Sequence, residues 1–82
     1  MGELVGVKVR TMVRFLGWLE RKPGIDIKMG GKHAIVVRHY SWNRPFPLPS
    51  HGEISKYIVR DFVDKLVASG ICTREEAINR LT

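Results

Sequence analysis

The chain is poor in the residues that build disulfides and metal centres. Cys72 is its single cysteine, which excludes an internal disulfide and a cysteine-based zinc cluster. The three histidines, His33, His39 and His51, form neither an HxxxH nor an HExxH pair, so no metal site is expected. A free thiol without a disulfide partner suits the reducing cytoplasm, which is the location we expect.

Long apolar runs and nucleotide-binding motifs are also absent. Lys8, Arg10 and Arg14 interrupt the apolar residues near the N-terminus, a pattern that fits neither a signal peptide nor a membrane span. The chain has no Walker-type phosphate loop and no GxGxxG followed by an acidic residue, so no nucleotide cofactor is expected. The chain has no nucleophile elbow, so serine-hydrolase chemistry is not expected. It has no close carboxylate pair either, so glycosidase chemistry is not expected.

Acidic residues are scarce relative to basic ones. There are 14 lysines and arginines against 8 acids, for a net charge of +6. Residues 1–44 hold nine basic and three acidic side chains, whereas residues 45–82 hold five of each. A positive field attracts polyanions, so nucleic acid is the expected partner and an acidic protein the second choice. A basic surface that serves only solubility is the plain alternative.

An amphipathic helix is predicted for residues 7–21, where apolar residues recur at three- and four-residue steps. Arg10, Arg14 and Arg21 fall together on its opposite side, with Gly17 among them. Such a stripe suits contact with a phosphate backbone and equally suits an ordinary solvated face. Because glycine costs a helix about 1 kcal/mol relative to alanine, Gly17 predicts that another group packs closely against it.

A hairpin follows. Residues 25–29 alternate apolar and polar side chains, which predicts a strand with Ile25, Ile27 and Met29 facing inward. Gly30 and Gly31 make a tight connection, because neither carries a Cβ atom. The second strand spans about residues 33–40, with Ile35 and Val37 favoured as its core face and histidines at both ends.

Three prolines, Pro45, Pro47 and Pro49, occupy alternate positions of the next segment. In a strand, alternate residues direct their N–H groups toward the same neighbour, so all the missing donors lie along one edge. This pattern predicts an edge strand whose open side is blocked, with Phe46 and Leu48 facing the core. An extended polyproline-like segment that docks without pairing is the competing interpretation.

Two helices complete the predicted fold after a loop at residues 50–53. Ser55 is the expected N-cap of the first, and Gly70 the residue that ends it. Thr73 and Glu76 form a capping box for a helix that reaches about Leu81. The buried face of the first of these helices is expected to contain Ile58, Val59, Phe62, Val63 and Leu66.

The predicted fold class is therefore α+β, with residues 1–82 as one small domain in the order α-β-β-β-α-α. A three-stranded antiparallel meander is packed on one face by helices, with a core over about residues 7–72 and a short C-terminal helix over 74–81. Trp42 is expected to fold over an edge of the sheet. Trp18 is interpreted first as a lid over the edge of the core, second as a protein contact and third as a base-stacking platform.

Phosphodiester cleavage by an imidazole is the chemistry that these residues allow. RNA carries its own nucleophile, the ribose 2′-hydroxyl, so a protein need only remove that proton, hold the backbone and stabilise charge on the phosphate. Histidine, with an unperturbed pKa of about 6.5, is partly neutral at cytoplasmic pH and can act as the base. His33 is the expected base, and His51 is a secondary candidate. The residues expected to hold phosphates are Lys32, Lys28, Arg10, Arg14, Arg21 and Arg38.

Four short motifs occur in an order that resembles the HicA family of messenger-RNA-cleaving toxins from toxin–antitoxin systems. They are Gly24-Ile25, Gly31-Lys32-His33, Pro49-Ser50-His51 and Gly70-Ile71, and the resemblance covers roughly residues 10–72. Lys32 stands where the family commonly has serine. The segment before His51 is proline-rich, and the second long helix is expected to start earlier than is usual in the family.

The resemblance implies a fold similar to a double-stranded-RNA-binding domain and a metal-independent endoribonuclease without cofactors. It implies that His33 is the catalytic residue. It also implies two partners, messenger RNA and a HicB-type antitoxin that covers the active site. A non-catalytic module of the same fold that binds RNA or protein, or an adaptor for an acidic partner, stays open as an alternative.

Overall fold

The computed structural model describes residues 4–30 and 34–82, which form three helices and five strands. The elements are β1 (Val7–Lys8), α1 (Val9–Leu19), β2 (Ile25–Gly30), β3 (Ala34–His39), β4 (Phe46–Pro49), β5 (Glu53–Ile54), α2 (Lys56–Ala68) and α3 (Arg74–Leu81). Within these described ranges, no helix combines the length and apolarity needed to cross a membrane.

The main sheet is an antiparallel meander in the order β2-β3-β4. Ile27 lies opposite Val37, and Ile35 lies opposite Leu48, so their side chains share the face that the helices cover. Ile35, Val37 and Leu48 are buried, as predicted. β4 pairs with β3 along its whole length, so the proline-rich segment is an edge strand and the unpaired polyproline interpretation is wrong.

A second, two-stranded ladder was not predicted. Val7 pairs with Ile54 and Lys8 with Glu53, so β1 and β5 hold the start of α1 beside the entry to α2. Helix α1 therefore begins at Val9 rather than at residue 7, and the expected loop at 50–53 ends in a strand. Strands of two residues are too short to produce a recognisable alternation of polar and apolar side chains.

The core lies between the sheet and the helices. Phe62 of α2 is fully buried, with its ring centroid 6.3 Å from that of Phe15 in an edge-on arrangement and 5.1 Å from that of Phe46. Helix α3 adds Ala77 and Leu81, which are both buried. The core thus reaches beyond the expected limit at residue 72, and the predicted α+β layout is confirmed.

The helix ends follow the predicted capping chemistry. Ser55 Oγ accepts a hydrogen bond from the backbone N–H of Ile58 at 3.3 Å. At the start of α3, Glu76 accepts from the Thr73 backbone N–H at 2.9 Å, and Thr73 Oγ1 accepts from the Glu76 N–H at 3.1 Å. Gly70 follows α2 with a φ of +74°, a left-handed conformation that favours glycine.

Two expectations about packing are wrong. Met29 lies on the core side of β2 near the end of the hairpin, yet 57% of its surface is exposed. Gly17 has open space around it, because a Cβ atom added there would meet no neighbouring heavy atom within 4 Å. Close packing therefore does not explain why a glycine occupies position 17 of the helix, as far as the described residues show.

Candidate nucleic-acid interface

One end of the main sheet gathers the residues of the Pro-Ser-His motif. Gly30 pairs with Ala34, and Ala34 pairs with Pro49, so the three strands end side by side over a width of about 10 Å. Ser50 and His51 follow directly from β4 at this end. The predicted base, His33, and its neighbour Lys32 lie outside the residues that the structure describes.

Ser50 is half-buried, and its hydroxyl oxygen is the one buried side-chain polar atom of the described residues that has no hydrogen-bond partner among them. Buried hydroxyl groups are normally paired, because leaving one unpaired costs about 1–3 kcal/mol. The Ser50 hydroxyl thus lies at this end of the sheet with neither solvent contact nor a partner among the described residues. His51, one residue further on, is exposed.

The face of the sheet that points away from the helices is basic. Lys28 of β2 lies opposite Val36, and Arg38 of β3 lies opposite Asp26, so both cationic side chains belong to this open face, and both are exposed. Within residues 4–30 and 34–82, the one ion pair joins Arg74 to Asp64 at 3.0 Å. Lys28 and Arg38 thus have no carboxylate within ion-pairing distance in this part of the chain.

The arginines of α1 form a different surface. Arg10 and Arg14 are exposed on the side of the helix opposite its buried residues, which belong to the common core. Arg14 lines a cleft of about 230 Å³ together with Asn79 and Arg80 of α3. Arg21 lies beyond the end of α1 and is exposed. The structure therefore brings Lys28 and Arg38 to one surface, and the α1 arginines to the opposite side of the domain.

Trp18 covers the edge of the core, as its first interpretation predicted. Its ring stacks on that of Phe15 at a centroid distance of 5.8 Å. The Lys22 Nζ atom lies 4.6 Å from the centroid of the Trp18 ring, and the Arg80 guanidinium lies 4.2 Å from it. Packing and cation–π contacts thus already engage this ring.

Sequence reasoning missed a polar groove at the other end of the sheet. Trp42 donates its indole N–H to Ser69 Oγ at 2.6 Å, and Ser69 donates in turn to the Lys65 carbonyl at 2.7 Å. This links the turn after β3 to the C-terminal end of α2. A groove of about 510 Å³ opens beside the link and includes Arg44 and Lys65 in its walls. Arg44 lies in a turn with no regular pattern, so no periodic signal in the sequence marks it.

His39 has a structural role. It is buried, its Nδ1 atom accepts a hydrogen bond from the Ser41 backbone N–H at 3.2 Å, and its ring centroid lies 4.2 Å from that of Tyr40. Among the described residues, no group of three metal-ligating side chains is close enough to hold an ion.

The geometry therefore offers a basic open sheet face and, at one end of the sheet, an unpaired hydroxyl beside an exposed histidine. Comparison with known proteins adds no further assignment: no family model, curated protein or solved structure matches this chain.

Proposed function

We propose that this protein is a cytoplasmic, metal-independent endoribonuclease of the HicA type, which cleaves messenger RNA with His33 as general base. The observation that carries the proposal is the position of Lys28 on the open face, near the end of the sheet at which β4 leads into the exposed His51. The order α-β-β-β-α that the resemblance implies is also present, as α1, β2, β3, β4 and α2.

The proposed reaction uses the 2′-hydroxyl of RNA. His33 removes its proton, the 2′-oxygen forms a bond to the adjacent phosphorus, and the bond to the 5′-oxygen breaks. The departing oxygen takes a proton from a general acid, a role for which exposed His51 is the candidate. The products are a 2′,3′-cyclic phosphate and a 5′-hydroxyl.

Charge on the phosphate is balanced by the basic open face. Lys28 lies two residues from the last pair of the β2–β3 ladder, which is about 7 Å along the strand. Arg38 lies four residues from that pair, or about 13 Å, and can hold a more distant phosphate. A HicB-type antitoxin that covers this end of the sheet is the proposed protein partner.

RNA cleavage by the purified protein tests the proposal. We expect His33→Ala to abolish cleavage while its circular dichroism spectrum stays unchanged, and product analysis to find cyclic phosphate ends. Equal cleavage by His33→Ala and the parent protein would show that the base is another group.

RNA binding provides a second, separate readout. Lys28→Ala should weaken binding and reduce the slope of log affinity against log salt by about one, because one phosphate contact is lost. Lys56→Ala removes an equally exposed lysine from α2 and serves as the matched control.

Binding without cleavage is the second candidate function. The cations Lys28 and Arg38 have no ion-pair partner among the described residues, so they suffice for phosphate contacts whether or not a base is present. This candidate predicts salt-dependent binding to RNA that stays intact after long incubation with the unmodified protein.

A further inference from the structure

The prolines of β4 determine the direction of the hydrogen bonds across the whole sheet. Pro47 and Pro49 have no N–H group, so the ladder to β3 must use Phe46 and Leu48, which lie opposite Val37 and Ile35. In an antiparallel strand, each residue directs both its N–H and its C=O to the same neighbouring strand. The next residue directs both of its groups to the strand on the other side. Val37 and Ile35 therefore face β4, and the even-numbered residues of β3 face β2.

The same alternation extends to β2. The even-numbered residues of β3 lie opposite Asp26, Lys28 and Gly30, so these three residues form the ladder between the strands. Ile25, Ile27 and Met29 must then direct their N–H and C=O groups to the outer edge of β2. The N–H group of Ile25 agrees with this, because it donates to the Lys22 carbonyl at 3.4 Å. No described strand pairs with that outer edge.

We propose that the outer edge of β2 pairs with β2 of a second copy of this chain, in an antiparallel arrangement with Ile27 opposite Ile27 of the second copy. This register makes Asp26 face Lys28 of the second copy, and two-fold symmetry repeats the pair. Opposite charges on directly facing strand residues stabilise a sheet, whereas like charges destabilise it. The edge is thus complementary to itself.

Apolar contacts fit the same register. Met29, of which 57% is exposed, lies opposite Ile25 of the second copy, on the face that the helices cover. The groups left to form hydrogen bonds in this arrangement are the N–H and C=O groups of Ile27 and Met29 and the carbonyl of Ile25, because the Ile25 N–H already donates to Lys22. The combined sheet has six strands, and both of its new edges are β4 strands blocked by proline. Assembly therefore stops at two copies.

Charge reversal tests this pairing independently of any RNA activity. Sedimentation of the unmodified protein should show a monomer–dimer equilibrium that depends on protein concentration. Lys28→Glu and Asp26→Lys each place like charges across the two-fold axis, so each should raise the dimer dissociation constant about tenfold or more. Their equimolar mixture restores opposite charges in both pairs, so we expect a heterodimer. Lys56→Glu makes the same charge change on α2 and should leave the equilibrium unchanged.

Met29→Glu provides a variant that acts through the apolar contact instead. Because Met29 is largely exposed, its replacement should leave the protomer folded, as circular dichroism can verify, and weaken the dimer. A monomer at all concentrations, a dimer that is insensitive to Lys28→Glu and Met29→Glu, or a failure of the mixture to form heterodimers would each overturn the proposal.

Discussion

Two glycines in opposite conformational settings give a quantitative test of the fold. Gly17 lies inside α1, where a Cβ atom would meet no neighbouring heavy atom within 4 Å. Gly70 also has open space around it, but its φ of +74° is left-handed. Alanine adds the same atom at both positions. Backbone conformation is therefore the main difference between the two substitutions.

The expected effects have opposite signs. Gly17→Ala should raise the free energy of unfolding by roughly 0.5–1 kcal/mol, because alanine loses less backbone entropy on entering a helix. Gly70→Ala should lower it by about 1–2 kcal/mol, because a left-handed conformation strains a residue with a Cβ atom. Gly24→Ala should lower it further, since φ is +83° there and the added Cβ would lie 2.3 Å from Tyr40 Cδ1.

Urea unfolding followed by tryptophan fluorescence measures these changes, with linear extrapolation to water. In a domain of this size, each 1 kcal/mol also shifts the melting temperature by about 4–8 °C. A loss of stability in Gly17→Ala would refute the reasoning, because it would require a neighbour that the structure does not place there. Equal stability of the Gly70→Ala and Gly17→Ala variants would refute the left-handed assignment.

Three further predictions concern side chains. The backbone N–H of Thr73 holds the pKa of Glu76 below its ordinary 4.5, so the Glu76 carboxylate stabilises the fold above that pH, and the contribution is lost as pH falls through the lowered pKa. Urea titrations at neutral pH and at about pH 3 should therefore show that the free energy of unfolding changes less with pH in Glu76→Gln than in the parent. An equal change in the two proteins would contradict this. Burial, reinforced by the charge of Glu76, raises the pKa of the Cys72 thiol above 9.0, so a thiol reagent at neutral pH should react slowly with the folded protein and rapidly in urea. Fast labelling of the folded protein would contradict that burial. Trp42→Phe removes the hydrogen bond to Ser69 and should cost about 1 kcal/mol of stability by urea unfolding.

Much of the fold follows from local patterns. The alternation of Ile35 and Val37 predicted the core face of β3, and the spacing of the three prolines predicted the blocked edge. The capping box at Thr73 predicted the start of α3. Each of these features depends on residues within a few positions of one another, and the chemistry of a single element determines it.

Features that depend on distant partners were not predictable in the same way. Val7 and Ile54 pair across 47 positions, and two residues carry too little pattern to reveal this. Met29 has the right period for the core, yet it is largely exposed near the end of the hairpin. Arg44 and Lys65 line one groove, beside the Trp42–Ser69 hydrogen bond that joins a turn to the end of α2.

The candidate site was predictable only in part. The sequence places Lys28 and Arg38 in neighbouring strands, and the register of the hairpin then determines that they share one face. The α1 arginines were grouped with them on charge alone, and charge does not reveal on which side of a core a helix lies. The unpaired hydroxyl of Ser50 has no sequence signal, because only packing can bury it.

The contact between α1 and α3 has a consequence for the protein during its synthesis. Leu81 is buried in the same core as the α1 residues Phe15 and Leu16, so the first long helix has no complete packing surface until the last helix exists. A ribosome that adds about 5–20 residues each second exposes α1 and the hairpin for several seconds before residue 81 leaves the exit tunnel. During that interval the apolar face of the sheet is only partly covered, so the core cannot be completed until α3 has emerged.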